Sequence, residues 1–415
     1  MLNTNGHRVV VTGIGIVSPI GIGVREFWDG MLAGRVGAGP ITRFDTEGYP
    51  SRIAAEIDNF DPSDHMDSKR VRWTDRFAQY AVAAARGAFD DAGIAKNGPR
   101  EDVGVFIGSA LGGVAYADEQ HDVFRRRGLG SVRPLLAISV FGGSATCNVA
   151  LEFDVRGPTV ANANSCASGA VAIGEAFRAV RRGDVRLAVA GGAEAPLSPL
   201  CFGAFTVIGA MSTRNDDPQH ASRPFDRDRD GFVMAEGAGM LVLERYEDAV
   251  ARGANIYGEV RGYGASNDAH HMSAPRPGGE NAARAIEIAL DEAHIAPNEI
   301  EAVSAHGSST QLGDRAESKA LRRVFGDGIA QLPITASKGQ HGHAFGAAGA
   351  WEAALSLLTL RHGILPPVVG HFVDDPECDL AFVRSTVEGP VRSMLSNTAG
   401  FGGINAALVF TALDS

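Results

Sequence analysis

The residues best suited to covalent chemistry lie in a run of small side chains around Cys166. Ser165 precedes this cysteine, and residues 167–170 are small and compatible with a helix. A thiol at a helix N-terminus faces the positive end of the helix dipole, which lowers its pKa toward the nucleophilic thiolate. The alternative is a buried structural thiol, since free cysteines are among the most buried residues. The remaining cysteines have no such setting: Cys147, Cys201 and Cys378.

Two histidines and a lysine form a second group of candidates. His306 follows a short apolar run, so it is predicted to lie at a strand end, where α/β folds carry active-site groups. Lys338 has apolar or glycine neighbours, which argues against an ordinary surface charge, and His343 follows it directly before a helix rich in Ala and Gly. His341 competes with His343 for a catalytic role, but it is two residues away and should point elsewhere. For His306 the alternative is a ring whose hydrogen bonds are satisfied by neighbouring backbone.

The glycine-rich segment 400–405 encloses one aromatic residue, Phe401. Backbone of this kind exposes N–H groups that can bind an oxyanion, and a ring among flexible neighbours can act as a moving gate. The alternative is a hydrophobic anchor in a turn. Gly13-Ile14-Gly15 is too short for a dinucleotide-binding fingerprint, so the sequence predicts no nucleotide site.

The elements that must position these residues alternate between strand and helix. Residues 8–14 and 185–190 are predicted strands, and residues 165–180 a helix. The order repeats from residue 257 onward, and the Ala/Gly-rich helices of both parts end in basic residues followed by glycine. This predicts an α/β fold of two similar halves, residues 1–253 with the cysteine and 254–415 with the histidines. The alternative is coincidence, because any α/β chain shows some such echoes.

Composition excludes several classes of function. The chain has 415 residues, 45% of them hydrophobic, and a formal net charge of −11, so it has no overall field for nucleic acid. No stretch reaches the roughly 18 apolar residues of a membrane span. The N-terminus runs into a strand without a targeting segment, and the cysteines lack metal-ligand spacing. We therefore expect a cytoplasmic protein that binds neither nucleic acid nor membrane and uses no metal.

Together the motifs resemble those of the β-ketoacyl-acyl-carrier-protein synthases, most closely the elongating synthase II type. The resemblance covers about residues 8–410 and rests on the segments around the candidate residues: 164–169, 306–310, 338–349 and 400–405. This family of condensing enzymes includes the polyketide ketosynthases. The resemblance implies the thiolase fold, with duplicated α/β halves in five layers (α-β-α-β-α), and a dimer.

The resemblance also implies roles for the candidate residues. Cys166 would be the nucleophile and His306 and His343 the histidine pair. Lys338 would set the electrostatics of the site, paired with Glu317 as a supporting residue. The backbone N–H groups of Cys166 and Phe401 would form an oxyanion hole, with Phe401 also the gate. Two hydroxyls would contact the pantetheine arm: Ser308 and Thr310.

The implied reaction is a decarboxylative Claisen condensation. A cysteine-bound acyl chain would be extended with a malonyl thioester carried on the phosphopantetheine of an acyl carrier protein, giving a β-ketoacyl product without a cofactor. Initiating synthases carry asparagine in place of the second histidine, so His343 favours elongation. The alternative is a specialised type II polyketide ketosynthase, a homodimer or a heterodimer with a chain-length factor. A non-catalytic chain-length-factor-like subunit would lack the nucleophile, and a thiolase would need a second cysteine in a Cys-Gly-Gly setting that Cys378 does not have.

Some positions depart from the family pattern. Gly142 to Ser144 are small residues in the stretch that resembles an acyl-pocket wall near the dimer interface, and Gly209 stands where many relatives carry a carrier-docking arginine. Ala167 and Ile404 also differ from the usual residues. We therefore hypothesise a preference for bulkier or more unsaturated acyl chains. Acyl carrier proteins are acidic, so two basic runs are candidates for carrier docking: Lys69, Arg70 and Arg72, and Arg125 to Arg127. The alternative is that these runs are only solvated surface.

Overall fold

The computed structural model describes residues 6–94 and 100–413. The strands are β1 (Val9–Ser18), β2 (Gly21–Ile22), β3 (Gly39–Pro40), β4 (Ile53–Ala55), β5 (Val103–Gly108), β6 (Thr159–Asn162), β7 (Leu187–Glu194), β8 (Met234–Ala235), β9 (Gly237–Arg245), β10 (Gly258–Asn267), β11 (Ala302–Ser304), β12 (Ile334–Thr335), β13 (Ile364–Leu365), β14 (Val387–Glu388), β15 (Ser393–Gly400) and β16 (Ile404–Thr411). The helices are α1 (Val24–Leu32), α2 (Ser68–Trp73), α3 (Arg76–Asp91), α4 (Val114–Arg127), α5 (Leu136–Ser139), α6 (Ser144–Phe153), α7 (Ser168–Arg182), α8 (Pro199–Val207), α9 (Tyr246–Ala251), α10 (Glu280–Ala293), α11 (Gln311–Phe325), α12 (Lys338–His341) and α13 (Ala348–His362). Over the described residues, none of these helices combines the length and the apolar character needed to cross a bilayer.

One large sheet runs through the molecule in the order β12-β11-β15-β16-β10-β1-β9-β7-β5-β6. The antiparallel pair β1 and β10 joins its two parts, with Val9 opposite Val260. Outward from this pair each part has the same sequence of pairings: two antiparallel, then two parallel. A duplicated chain would give such a repeat. The boundary between the two halves at Gly253 stays a prediction.

Helices cover both faces of this sheet, which explains why β1 is buried along its whole length. α3 packs on β1 and β9, and α10 packs on β10 and β16. α7 and α13 contact each other and strands of both parts, so they form the central layer. α13 is buried on all sides from Ala348 to Leu360, as expected for an interior helix. The two parts of the large sheet are the two β layers, α7 and α13 lie between them, and α3 and α10 lie outside. The five-layered α/β arrangement predicted from the resemblance is thus confirmed.

Three glycines allow the central layer to close around the cysteine. The carbonyl oxygen of Gly346, just before α13, lies 2.0 Å from where a side-chain Cβ on Gly192 would stand. The same oxygen lies 2.6 Å from the equivalent position on Gly169 in α7. Only glycine fits such close backbone contacts. They bring the segment before α13 against the start of α7 and the end of β7.

We expect Gly192→Ala to destabilise the protein by about 1–3 kcal/mol or more, because the methyl group must displace the backbone of Gly346. Equilibrium denaturation measures the loss in the free energy of unfolding. Gly130→Ala is the matched control, since a Cβ at Gly130 meets nothing within 4 Å. Equal stability of the two variants would contradict the close-packing argument.

Candidate active site

Cys166 lies in a single 3-10 turn, Ser165–Ala167, directly before α7. Ser165 adopts a φ of 52°, a strained conformation for a residue with a side chain, and so turns the thiol toward the pocket. Burial raises the pKa of the Cys166 thiol to about 11, although the Ser165 hydroxyl, the charge of Lys338 and the backbone N–H of Phe401 lower it. The lowered pKa predicted from the helix N-terminus is therefore wrong, because burial outweighs the groups that lower the thiol pKa.

This raised pKa predicts how the thiol responds to pH. We expect alkylation of Cys166 by iodoacetamide to speed up about tenfold per pH unit from pH 7 to 10, because the reactive thiolate fraction rises in that proportion below a pKa of about 11. Peptide mapping by mass spectrometry gives the rate, and exposed Cys147 serves as an internal reference for the reagent. A rate that levels off by pH 8 would instead indicate that the helix dipole dominates.

The two histidines lie together beside the thiol. His343 Nε2 is 3.1 Å from Cys166 Sγ, and the His306 and His343 rings meet edge to face at 5.3 Å. Backbone hydrogen bonds to Val233 and Ala235 hold His343 in place. Burial, and then the nearby charge of Lys338, lower the pKa of both histidines well below the usual value. Both rings are therefore neutral at physiological pH.

Lys338 orients His306. Its Nζ lies 3.3 Å from His306 Nδ1 and also bonds the His306 carbonyl oxygen and the Glu352 carboxylate. An ammonium group can only donate hydrogen bonds, so Nδ1 must accept and the ring proton is on Nε2. His306 thus has a donor available on the nitrogen opposite Lys338.

The expected ion pair between Lys338 and Glu317 is wrong. Lys338 pairs with Glu352 of the central helix α13, and both side chains are fully buried. Glu317 lies in α11 behind the His306 turn, where it accepts hydrogen bonds from the backbone N–H groups of His306 and Gly307 and from Asn397. It supports His306 through the backbone. Glu352 could have been noticed in the sequence as a lone acid in an apolar segment, 348–358.

The structure separates His341 from the site. Its Nδ1 lies 2.7 Å from the Gly342 carbonyl oxygen and its Nε2 2.7 Å from Ser337 Oγ. The ring packs against Trp351 in the core. Both ring nitrogens are thus occupied, and the competition between the two histidines resolves in favour of His343.

Phe401 sits in the turn between β15 and β16, beside the thiol. The turn requires glycine, since Gly402 and Gly403 have φ values of 80° and 73°. Gly402 N–H donates to the Met272 carbonyl oxygen at 2.7 Å, and the Phe401 ring stacks on Phe205. The backbone N–H of Phe401 donates toward Cys166 Sγ. Phe205 was not identified from the sequence.

A pocket of about 300 Å³ leads to the thiol and the two histidines. Ser308 and Thr310 both line it, and their hydroxyl oxygens are 2.8 Å apart. Asp314 accepts from the Ser308 hydroxyl at 3.2 Å and so holds this wall. The small residues at 142–144 do not line this pocket; Gly142 is on the outer surface of the chain.

The sequence analysis also missed Glu194, at the end of β7. This fully buried carboxylate accepts hydrogen bonds from the Ser109 hydroxyl and from the backbone N–H groups of Ala110, Leu111 and Gly346. Burial raises its pKa to about 7. Glu194 ties the end of β5 to the segment that follows His343. A lone acid after a glycine pair in a buried strand was the available signal.

The two basic runs meet at one surface groove, which Arg72, Arg125 and Arg126 line together. Not every member is free to bind a partner. Arg70 pairs with Glu152 at 3.1 Å, and Arg126 pairs with Asp122 at 2.9 Å. Acidic side chains also line the groove, among them Asp118 and Glu119.

A buried thiol, two neutral histidines and a lysine-carboxylate pair on a duplicated α/β core define an acyl-transferring enzyme of the condensing class. The chain belongs to the β-ketoacyl synthase family: the N-terminal domain of that family matches residues 6–249 and its C-terminal domain matches residues 257–371.

Relatives of this chain include a 3-oxoacyl-acyl-carrier-protein synthase and two ketosynthases. It is 42% identical to 3-oxoacyl-[acyl-carrier-protein] synthase 2 of Staphylococcus aureus (strain N315) over 99% of this chain and 100% of that protein. Its structure is similar to the ishigamide ketosynthase/chain length factor, with a TM-score of 0.93 and 37% identity over 99% of this chain and 100% of that one. It is also similar to a type II polyketide ketosynthase solved with its acyl-carrier protein, with a TM-score of 0.90 and 33% identity over the same shares.

Proposed function

We propose that this protein elongates acyl chains by decarboxylative condensation on an acyl carrier protein, as in fatty-acid synthesis. The observation that carries the proposal is the contact between Cys166 Sγ and His343 Nε2 at 3.1 Å, with His306 beside them in one pocket. No added cofactor is required, since both substrates arrive as thioesters of phosphopantetheine. We place this activity in the cytoplasm.

In the first half-reaction, Cys166 Sγ attacks the acyl carbon of the carrier thioester. The carbon–sulfur bond to the carrier breaks, and the Cys166 proton leaves with the carrier thiol. The N–H groups of Cys166 and Phe401 receive the charge that develops on the carbonyl oxygen. The Ser308 and Thr310 hydroxyls hold the pantetheine arm in the pocket.

In the second half-reaction, a malonyl thioester loses CO2 and becomes an enolate. The neutral His306 and His343 rings donate from Nε2 to the enolate oxygen, which stabilises it without a metal. The enolate carbon then attacks the Cys166 thioester, and the acyl carbon–sulfur bond breaks. Cys166 leaves as a thiolate and takes a proton from solvent, and the β-ketoacyl carrier departs.

Intact-protein mass spectrometry with a panel of acyl-carrier thioesters, saturated and polyunsaturated, tests the proposal. We expect an acyl adduct on the parent protein and none on Cys166→Ala. Cys147→Ala is the matched control, because this exposed cysteine should not be needed for the adduct. Absence of an adduct with every carrier, or an adduct that survives Cys166→Ala, would overturn the proposal.

A specialised type II polyketide ketosynthase is the second candidate, because one solved relative described above is a type II polyketide ketosynthase and the other is a ketosynthase/chain length factor. The chemistry is the same and the acyl chain differs. The same panel separates the candidates: adducts with ordinary saturated chains favour fatty-acid elongation, while a preference for bulkier or polyunsaturated chains favours the second.

We also propose that the protein acts as a dimer, either of two copies or with a chain-length factor. β6 is an edge strand of the large sheet, and Thr159 to Ala161 are exposed there. Unpaired edges of this kind serve to pair with another chain. Three more apolar side chains are exposed on the elements before it: Ile138, Val140 and Phe141. Light scattering should give a mass about twice the 43.4 kDa of one chain.

A further inference from the structure

Large apolar side chains surround the mouth of the Cys166 pocket and remain exposed to solvent. They come from three separate elements: Val207 (84% exposed) and Ile208 (52%) at the end of α8, Met272 (77%) in the loop after β10, and Leu312 (59%) at the start of α11. Ile208 and Leu312 line the pocket itself, and Met272 adjoins the lining residue Ser273. These four residues are called the apolar collar below.

The mouth carries little fixed charge. Among the described residues lining the pocket, Asp230 is the one Asp, Glu, Lys or Arg side chain, and Arg214 pairs with it at 3.8 Å. Position 209, beside the collar, is a glycine with a φ of 71°. A basic side chain is therefore absent from this position, and the backbone there disfavours one. The arginines of the surface groove line a different depression.

We propose that the apolar collar is the contact surface for the body of the carrier protein, so that docking at the mouth depends on apolar rather than ionic contacts. This inference rests on the proposed function. A partner covering the collar also covers the way to Cys166, so it must be the one that inserts an arm carrying the substrate. A second copy of the chain would block the pocket, and its apolar patch and free sheet edge lie elsewhere, at β6 and Ile138 to Phe141.

The two surfaces make different contributions to docking. The groove with Arg72 and Arg125 attracts an acidic carrier over a distance, and this attraction is screened by salt. The collar acts at contact through burial of apolar area, which salt does not weaken. Loss of collar side chains should therefore reduce carrier use at low and at high salt alike.

The test compares acylation of Cys166 by hexanoyl-acyl carrier protein with acylation by hexanoyl-N-acetylcysteamine, a small thioester without a carrier body. For Val207→Ser/Met272→Ser we expect the ratio of the two kcat/KM values to fall about 10- to 100-fold, at both 50 and 500 mM salt. Neither residue lines the pocket. Val387→Ser is the matched control, since Val387 is an exposed valine (47%) in β14, and its ratio should equal that of the parent.

An unchanged ratio in the collar variant would overturn the inference while leaving the proposed function intact. A ratio that falls only at low salt would also overturn it, because docking would then be ionic. A change in mass by light scattering would show the collar to be a subunit interface instead. If the parent protein is acylated by neither thioester, the proposed function itself fails.

Discussion

Replacing His306 by alanine should slow decarboxylation of a malonyl thioester by about 10²- to 10⁴-fold, while acylation of Cys166 continues. His343 contacts the thiol at 3.1 Å, whereas His306 reaches the site through its edge-to-face contact with His343. The ring proton of His306 is on Nε2 because Lys338 occupies Nδ1. His306 is therefore a donor for the enolate oxygen, and its loss leaves the thiol environment largely unchanged.

His343→Ala should impair both half-reactions, because its ring meets both the thiol and the enolate. Release of CO2 from a malonyl carrier thioester measures the second step, and the acyl adduct on Cys166 measures the first. His341→Ala is the control: this buried histidine lies outside the pocket, so its loss should affect stability rather than decarboxylation. If His306→Ala abolished acylation as strongly as decarboxylation, the separate roles of the two histidines would be refuted.

Replacing Lys338 by methionine should lower the free energy of unfolding by about 3–5 kcal/mol, because it leaves Glu352 as a buried carboxylate without its cation. Burial already raises the pKa of Glu352 to about 7 in the presence of Lys338. In the variant the folded protein keeps this carboxyl protonated while the unfolded chain ionises it above its ordinary pKa of about 4.5. Below the parent's Glu352 pKa of about 7 both folded proteins keep this carboxyl largely protonated. The difference in unfolding free energy between parent and variant should therefore grow mainly as pH rises above 7.

The double variant Lys338→Met/Glu352→Leu separates stability from catalysis. Removing both charges should restore most of the unfolding free energy. Decarboxylation should stay low, since nothing then fixes the proton of His306 on Nε2. Chemical denaturation and CO2 release on the same samples provide the two readings. Recovery of activity together with stability would mean that the ion pair only holds the fold.

The candidate active-site residues could be predicted from the sequence because each one interrupts a local pattern. Cys166 begins a helix of small residues, His306 ends a short strand, and the glycines around Phe401 form a turn. Hydrophobic periodicity likewise indicated alternating strands and helices. These signals are local, since strands and helices depend on residues only a few positions apart.

The residues that form ion pairs and hydrogen bonds with these side chains could not be predicted in the same way. Lys338 pairs with Glu352 rather than Glu317, although all three lie in the same half, because α13 and not α11 faces the lysine. Glu194 was missed because its four donors come from segments 83 to 152 residues away in the chain. Such contacts depend on the packing of segments that are far apart in the chain. The local sequence pattern therefore does not predict them.

The sequence by itself therefore determined the class of fold, the nucleophile candidate and the histidine pair, because each leaves a local mark. The tertiary structure decided the pKa values of these side chains and the residues that they contact. The Cys166 pKa is raised rather than lowered because burial, a property of the whole packed chain, outweighs the contributions of Ser165, Lys338 and the Phe401 N–H. The apolar collar likewise exists only after folding, when α8, α11 and the loop after β10 converge on one pocket mouth.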